Sequence, residues 1–319
     1  MKRDYKPATE YGPAVSGGGK IAKGAIAAAN FLVDCIIILI FIVLIGFGAY
    51  SIWDTNQIYT ASSSTLYETY KPAADDTDSP SFQDLVAINP DVLGWITIYG
   101  TGVDYPVVQG ENNDEYMNTT ADGKFALGGA IFLDFSNAKD FSDFNTVIYG
   151  HHMEKSEMFG DIDKFDDESF FNAHQYGNLY YGNKNHGLEF FAMVDADAYD
   201  FTLYNPHVGN AASYLDYIQS NARYFRSGVA GPSDHIVMLS TCADTATNGR
   251  YVLFGKITDN TFEDSFATTP TVITRTLLGS SGSEGGVPMF WLVIAVVLVL
   301  VLLAAVLTAG HYTKRRRRQ

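Results

Sequence analysis

Residues 235–257 read HIVMLSTCADTATNGRYVLFGKI. Two apolar runs rich in β-branched and aromatic residues flank a polar loop, ADTATNG (243–249). Such runs, bounded by turn residues, read as neighbouring strands. A short loop between strands also brings its flanking positions together, so Cys242 and Arg250 are expected side by side.

The same pattern extends outward in both directions. GWITIYGTGVDYPVVQ (94–109), GGAIFLDF (128–135) and NTVIYGHHM (145–153) are further short strand patterns. GNLYYGNKNHGLEFFAMVDADAYD (177–200) reads as a hairpin turning at 183–187. SYLDYIQSNARYF (213–225) has apolar residues at helical spacing. Its Ser213 and Asp216 resemble a capping box. Many short strands with one or two inserted helices suggest a barrel or a sandwich.

Both ends of the chain are different in kind. FLVDCIIILIFIVLIGFGAY (31–50) and VPMFWLVIAVVLVLVLLAAVLTAG (287–310) each have the length and composition of a membrane span. About 30 residues precede the first and no A-x-A site follows it, which argues against a cleaved signal peptide. No LPxTG-like pentapeptide precedes the second. Basic residues flank both spans on their outer sides, and the last are KRRRR (314–318). The positive-inside rule then puts both termini in the cytoplasm and residues 51–286 outside.

This gives a basic N-terminus (1–30), a span (31–50), a membrane-proximal helix and linker (51–81) and an external domain (82–262). A flexible tether (263–286), a second span (287–310) and a basic tail (311–319) complete the chain. Of the formal charge of −15, the first 50 residues hold +2 and the last 31 hold +5, leaving −22 between them. That balance excludes a nucleic-acid partner, whose phosphates require the opposite sign.

Of the two cysteines, Cys35 lies in the first span and Cys242 is alone outside. A lone thiol in an oxidising space is a liability unless chemistry requires it. Thiol chemistry proceeds through the thiolate and needs an imidazole or a cation beside it. His174, His186 and His207 fall in polar stretches expected at the surface, His311 is cytoplasmic, and His235 begins the strand that Cys242 ends. His151 and His152 differ: they follow an apolar strand and a glycine, where a ring can be aimed into a cleft. Consecutive strand residues face opposite ways, and neither HExxH nor a second His/Cys cluster is present, so the pair is a poor metal site. Arg250 reads either as a surface cation or as a donor to a developing oxyanion.

Taken together, STC followed by the arginine, YGHHM, INPDVLGWITIYGTGVDYPVVQ (88–109), NNDEYM (112–117), GGAIFLDF and MFGDI (158–162) resemble the sortases. These are membrane-bound cysteine transpeptidases of Gram-positive bacteria, and the order and spacing of the motifs are those of class B. The resemblance covers roughly residues 82–257. It implies a mainly β fold: a closed barrel of about eight strands with N-terminal helices and one helix inserted before the last two strands, here flanked by two transmembrane helices.

It further implies Cys242 as nucleophile, His151 as acid–base and Arg250 as the essential arginine, without cofactor or metal. Substrate contacts fall on Asn113, Met117, Tyr149 and Ser240, and Asp244 matches a residue that would orient the histidine. The implied partners are surface proteins or pilins with an LPxTG- or NPxTN-like sorting signal, and an amine of peptidoglycan precursor or pilin. A second span is more typical of pilin-assembling class C enzymes, but their Asp-Pro-aromatic lid motif is absent from residues 51–90. Two other readings stay open: an inactive sortase-fold binding module and a hydrolytic cysteine protease.

Overall fold

A computed structural model of the chain describes residues 17–72, 80–242 and 247–267. Four α-helices are described: α1 (Gly17–Ser62), α2 (Pro80–Ile88), α3 (Glu168–Ala173) and α4 (Ala211–Asn221). The strands are β1 (Val92–Ile98), β2 (Asp104–Val108), β3 (Ile131–Leu133), β4 (Asn145–Tyr149) and β5 (Tyr176–Tyr181). They continue with β6 (Lys184–Asp197), β7 (Ala222–Phe225), β8 (His235–Cys242) and β9 (Gly249–Thr258). The expected second span, residues 1–16 and 311–319, and most of the expected linker and tether lie outside the described residues.

The chain separates into two units, and the described part of the first is α1 up to Asp54. Within α1, Ala22–Ser62 is long and apolar enough to cross a membrane. The membrane-proximal helix expected within 51–81 is the end of α1, which stops at Ser62. Two 3-10 turns, Ser64–Leu66 and Glu68–Tyr70, follow it.

The second unit carries the sheet. Its strands run in the order β5-β1-β2-β3-β4-β8-β9-β6-β7, and β5 also pairs with β6. That last pairing closes eight strands into a barrel and leaves β7 appended to β6. Closure removes the unpaired edges an open sheet would leave. It also decides between the barrel and the sandwich.

Central strands are covered on both sides, which is why their sequences are nearly continuous apolar runs. Along β8, Val237 and Leu239 join the cluster built around Trp95, Ile148 and Phe190. Ile236 and Met238 alternate into a second cluster with Phe191, Phe254 and the α4 residues Tyr214 and Ile218. Each large side chain buried this way contributes about 1.5–3 kcal/mol.

Three local readings are corrected. The β5–β6 hairpin turns at Gly182 and Asn183, both with positive φ (56° and 59°), and Lys184 already pairs with Tyr181. A two-residue turn of that hand matches the twist of the strands it joins. The inserted helix ends at Asn221, and Ala222 and Phe225 leave helical spacing to pair with β6. Its cap is Asn210, whose side chain accepts the Ser213 N–H, so no box forms between Ser213 and Asp216.

His174 and His186 are also not surface residues, each being 8% exposed. His174 stacks between Phe170 and Phe266, and His186 stacks on Tyr181. Aromatic faces here outweigh the polarity of the neighbouring sequence.

Candidate functional site

Strands β4 and β8 run parallel, with Tyr149 opposite Ser240. Two residues beyond these, at the same end of the barrel, stand His151 and Cys242. Across the antiparallel β8–β9 ladder, Cys242 is the register partner of Arg250. The backbone therefore carries histidine, cysteine and arginine abreast on three adjacent chains, with strands spaced about 4.8 Å apart. The Cys242 side chain and the whole of Asp244 lie outside the described residues.

Packing explains the residue before the histidine. A Cβ at Gly150 would stand 2.5 Å from Ile131 Cδ1 and 2.7 Å from the Phe159 ring. The Gly150 N–H instead donates to the Ser240 carbonyl at 3.2 Å, extending the β4–β8 ladder by one step. His151 then turns its ring to Met117, with Nε2 2.9 Å from that residue's carbonyl oxygen. A carbonyl can only accept, so Nε2 carries the hydrogen. His152 goes elsewhere: its Nε2 lies 3.1 Å from Asp163 Oδ2, and it lines a separate cleft with Tyr59 and Glu154.

His151 and Arg250 both line an open cleft of about 390 Å³. Asn113, Met117, Tyr149 and Ser240 line it as well, so every expected contact residue is gathered there. Arg250 donates from Nη1 to the Gly249 carbonyl at 2.8 Å, leaving further guanidinium N–H groups to point elsewhere.

A carboxylate organises one wall. Asp134 is 7% exposed. Its Oδ2 accepts from Asn113 Nδ2 at 2.8 Å and from the Tyr149 hydroxyl at 3.1 Å. The Tyr149 hydroxyl pKa is raised, first by burial and then by the Asp134 charge, while Arg250 pulls the other way. The Tyr149 ring stacks on Tyr204 at 6.1 Å and 10°, and the Tyr204 hydroxyl bonds Ser240 Oγ at 2.8 Å.

Asp134, Tyr204 and the 77% exposed Phe201 are absent from the sequence reading. Asp134 had a signal, an acid directly after the buried run Ile131–Leu133. Tyr204 and Phe201 had none. Besides the strand ends, the lining comes from 113–117 and 198–204.

A closed mixed barrel that carries a histidine, a cysteine and an arginine abreast at one end brings together the residue types that cysteine acyl transfer requires. Comparison with known proteins makes the class definite. The family model described as the sortase domain matches residues 96–258. Sortase B of Listeria monocytogenes is 35% identical over 209 residues, covering 64% of this chain and 82% of that protein.

Among solved structures, sortase B from the type II pilus of Streptococcus pneumoniae is 48% identical with a TM-score of 0.50, over 56% of this chain and 99% of that one. A Streptococcus pyogenes class B sortase involved in pilus biogenesis is 38% identical with a TM-score of 0.52, over 55% and 97%. The chain belongs to the sortase family, within class B, and is a cysteine transpeptidase.

Proposed function

We propose that the transpeptidation runs through Cys242, His151 and Arg250 in the roles of nucleophile, acid–base and oxyanion donor. The Cys242 thiolate attacks the carbonyl of a Thr–Gly type bond in the sorting signal of a surface protein. Arg250 donates to the tetrahedral oxyanion, a contact worth most where charge develops. Collapse breaks the C–N bond, His151 in its imidazolium form hands a proton to the leaving amine, and a thioester remains on Cys242. An incoming amine attacks the thioester and gives its proton to His151, and the thiolate leaves.

Asn113, Met117, Tyr149 and Ser240 contact the bound peptide in this reading. Asp244 remains the proposed orienter of the histidine. The observation that carries the scheme is the backbone register, with Cys242 flanked by the β4 extension and by Arg250. One acyl link is exchanged for another, so no ATP is consumed.

For the acceptor we favour a pilin amine, because both streptococcal structures cited above come from pilus systems. In membrane placement we infer two spans, both termini cytoplasmic and the barrel external, supported by the basic flanks and the apolar α1. Anchoring enzyme and substrates on one membrane face raises their effective concentration without tighter binding.

The test uses the full chain in detergent with fluorogenic LPxTG- and NPxTN-type peptides, offered a lysine-bearing pilin peptide or oligoglycine. Cleavage should vanish in Cys242→Ala, and added amine should convert the product from acid to amide. Cleavage surviving that substitution, or acid alone in the presence of both amines, overturns the scheme. Preference for oligoglycine overturns only the choice of acceptor.

A further inference from the structure

The loop after His151 is held in an unfavourable shape. Lys155, Ser156 and Met158 all have positive φ (62°, 61° and 53°), which non-glycine residues adopt only at a cost. The loop closes on the histidine itself, with the Phe159 N–H donating to the His151 carbonyl at 3.0 Å. His152 and Met158 form a bridge just inside that closure. A change in the shape of 152–158 is therefore felt at His151.

Something must hold that shape, and three neighbours do. Tyr105, 2% exposed on β2, accepts the Met158 N–H at 2.9 Å. Its own hydrogen faces Glu157 Oε2 at 2.8 Å and the carbonyl of Ser62 at 3.0 Å. Burial pushes the Tyr105 hydroxyl pKa up, so it stays a neutral donor. The last turns of α1 form the second neighbour. Tyr59 donates to Glu154 Oε2 at 3.3 Å, and Lys155 Nζ sits 4.2 Å from the centre of the Tyr59 ring. Third, the β1–β2 turn presses close: a Cβ on Gly102 would lie 2.1 Å from the Ser156 carbonyl oxygen.

We propose that Tyr105 and the last turns of α1, Thr55–Ser62, are positioning elements for His151, acting through the strained loop 152–158. The end of the apolar helix is then part of the apparatus that aims the acid–base group, beyond any anchoring role. This rests on the catalytic assignment of His151 made above. Phe at position 105 removes a single oxygen and leaves the Met158 N–H and the Glu157 carboxylate without it. The loop should relax and the ring should lose its alignment, while the peptide-binding wall at Asn113 and Tyr149 is untouched.

The experiment uses the full chain in detergent and the two fluorogenic peptides, comparing Tyr105→Phe, Tyr59→Phe and His151→Ala. Tyr105→Phe should lower kcat about ten-fold with KM within about two-fold, and move a limb of the kcat–pH profile by about half a unit. Tyr59→Phe should change kcat in the same direction by a smaller factor, and it decides the matter if Tyr105→Phe fails to fold. Wild-type kinetics in both Tyr variants overturn the proposal. So does a loss of kcat that follows thermal stability with an unmoved pH profile. If His151→Ala itself turns over like wild type, the catalytic assignment has failed instead.

Discussion

His151 and His152 are identical side chains one peptide apart, and the strand end gives them different surroundings. His151 meets Met117 in the cleft, whereas His152 meets Asp163 outside it. His151→Ala should cost about 10³-fold in turnover, the scale of a lost general acid–base. His152→Ala should reduce turnover only modestly. Comparable losses in both would undo the distinction. Arg250→Lys keeps the charge but replaces a planar fork by a point donor. Its kcat on the fluorogenic peptide should fall about 100-fold, as for loss of an oxyanion contact. Gly150 shows how sequence and packing meet at this scale: YGHH is visible in the chain, but the reason for its glycine is Ile131 and Phe159.

Among elements, the segment 198–204 forms the second wall of the cleft and is positioned from beneath. Asn145 is fully buried at the start of β4. Its Nδ2 donates to the Asn205 carbonyl at 3.1 Å and to the α4 Tyr214 hydroxyl at 2.8 Å, and Tyr214 in turn donates to the Leu203 carbonyl at 2.5 Å. Asn145→Ala removes the two bonds donated by Nδ2 and leaves the Asn205 carbonyl and the Tyr214 hydroxyl without that donor, a cost of about 1–3 kcal/mol. Denaturant unfolding should show that loss, and KM should rise more than kcat falls. An unchanged KM would mean the wall is held from elsewhere. This tie was not legible in advance, because an asparagine opening an apolar strand gives no hint of which carbonyls it will meet sixty residues later.

For the whole molecule, acid should destabilise the fold in two stages. Burial, with help from Lys184, lowers the His186 pKa from its ordinary 6.5. A lowered folded pKa means the unfolded chain binds the proton first, so stability is lost as pH falls below about 6.5. Asp161 shows the same sign further down. Burial alone would raise its carboxyl, but Lys164, the Gly102 N–H and Ser156 overcome that and hold it below the ordinary 3.8. Its contribution is lost as pH falls past that value. A melting-temperature series from pH 8 to 3 should show both limbs. His186→Gln should flatten the upper limb and Asp161→Asn the lower, and a curve unaltered by either removes these groups from the account.

The identity of every strand but β7, the cysteine–arginine register and the motifs of the family resemblance were readable along the chain, because each rests on residues near one another in sequence. Apolar runs mark buried strands, and a loop of a few residues leaves its flanks little choice of neighbour. Barrel closure through β5 and β6, the burial of His174 and His186, the partners that the two adjacent histidines meet and the Asp134 and Asn145 ties belong to the tertiary structure alone. Each depends on which distant groups arrive opposite one another, and that is set by packing the closed sheet rather than by local pattern.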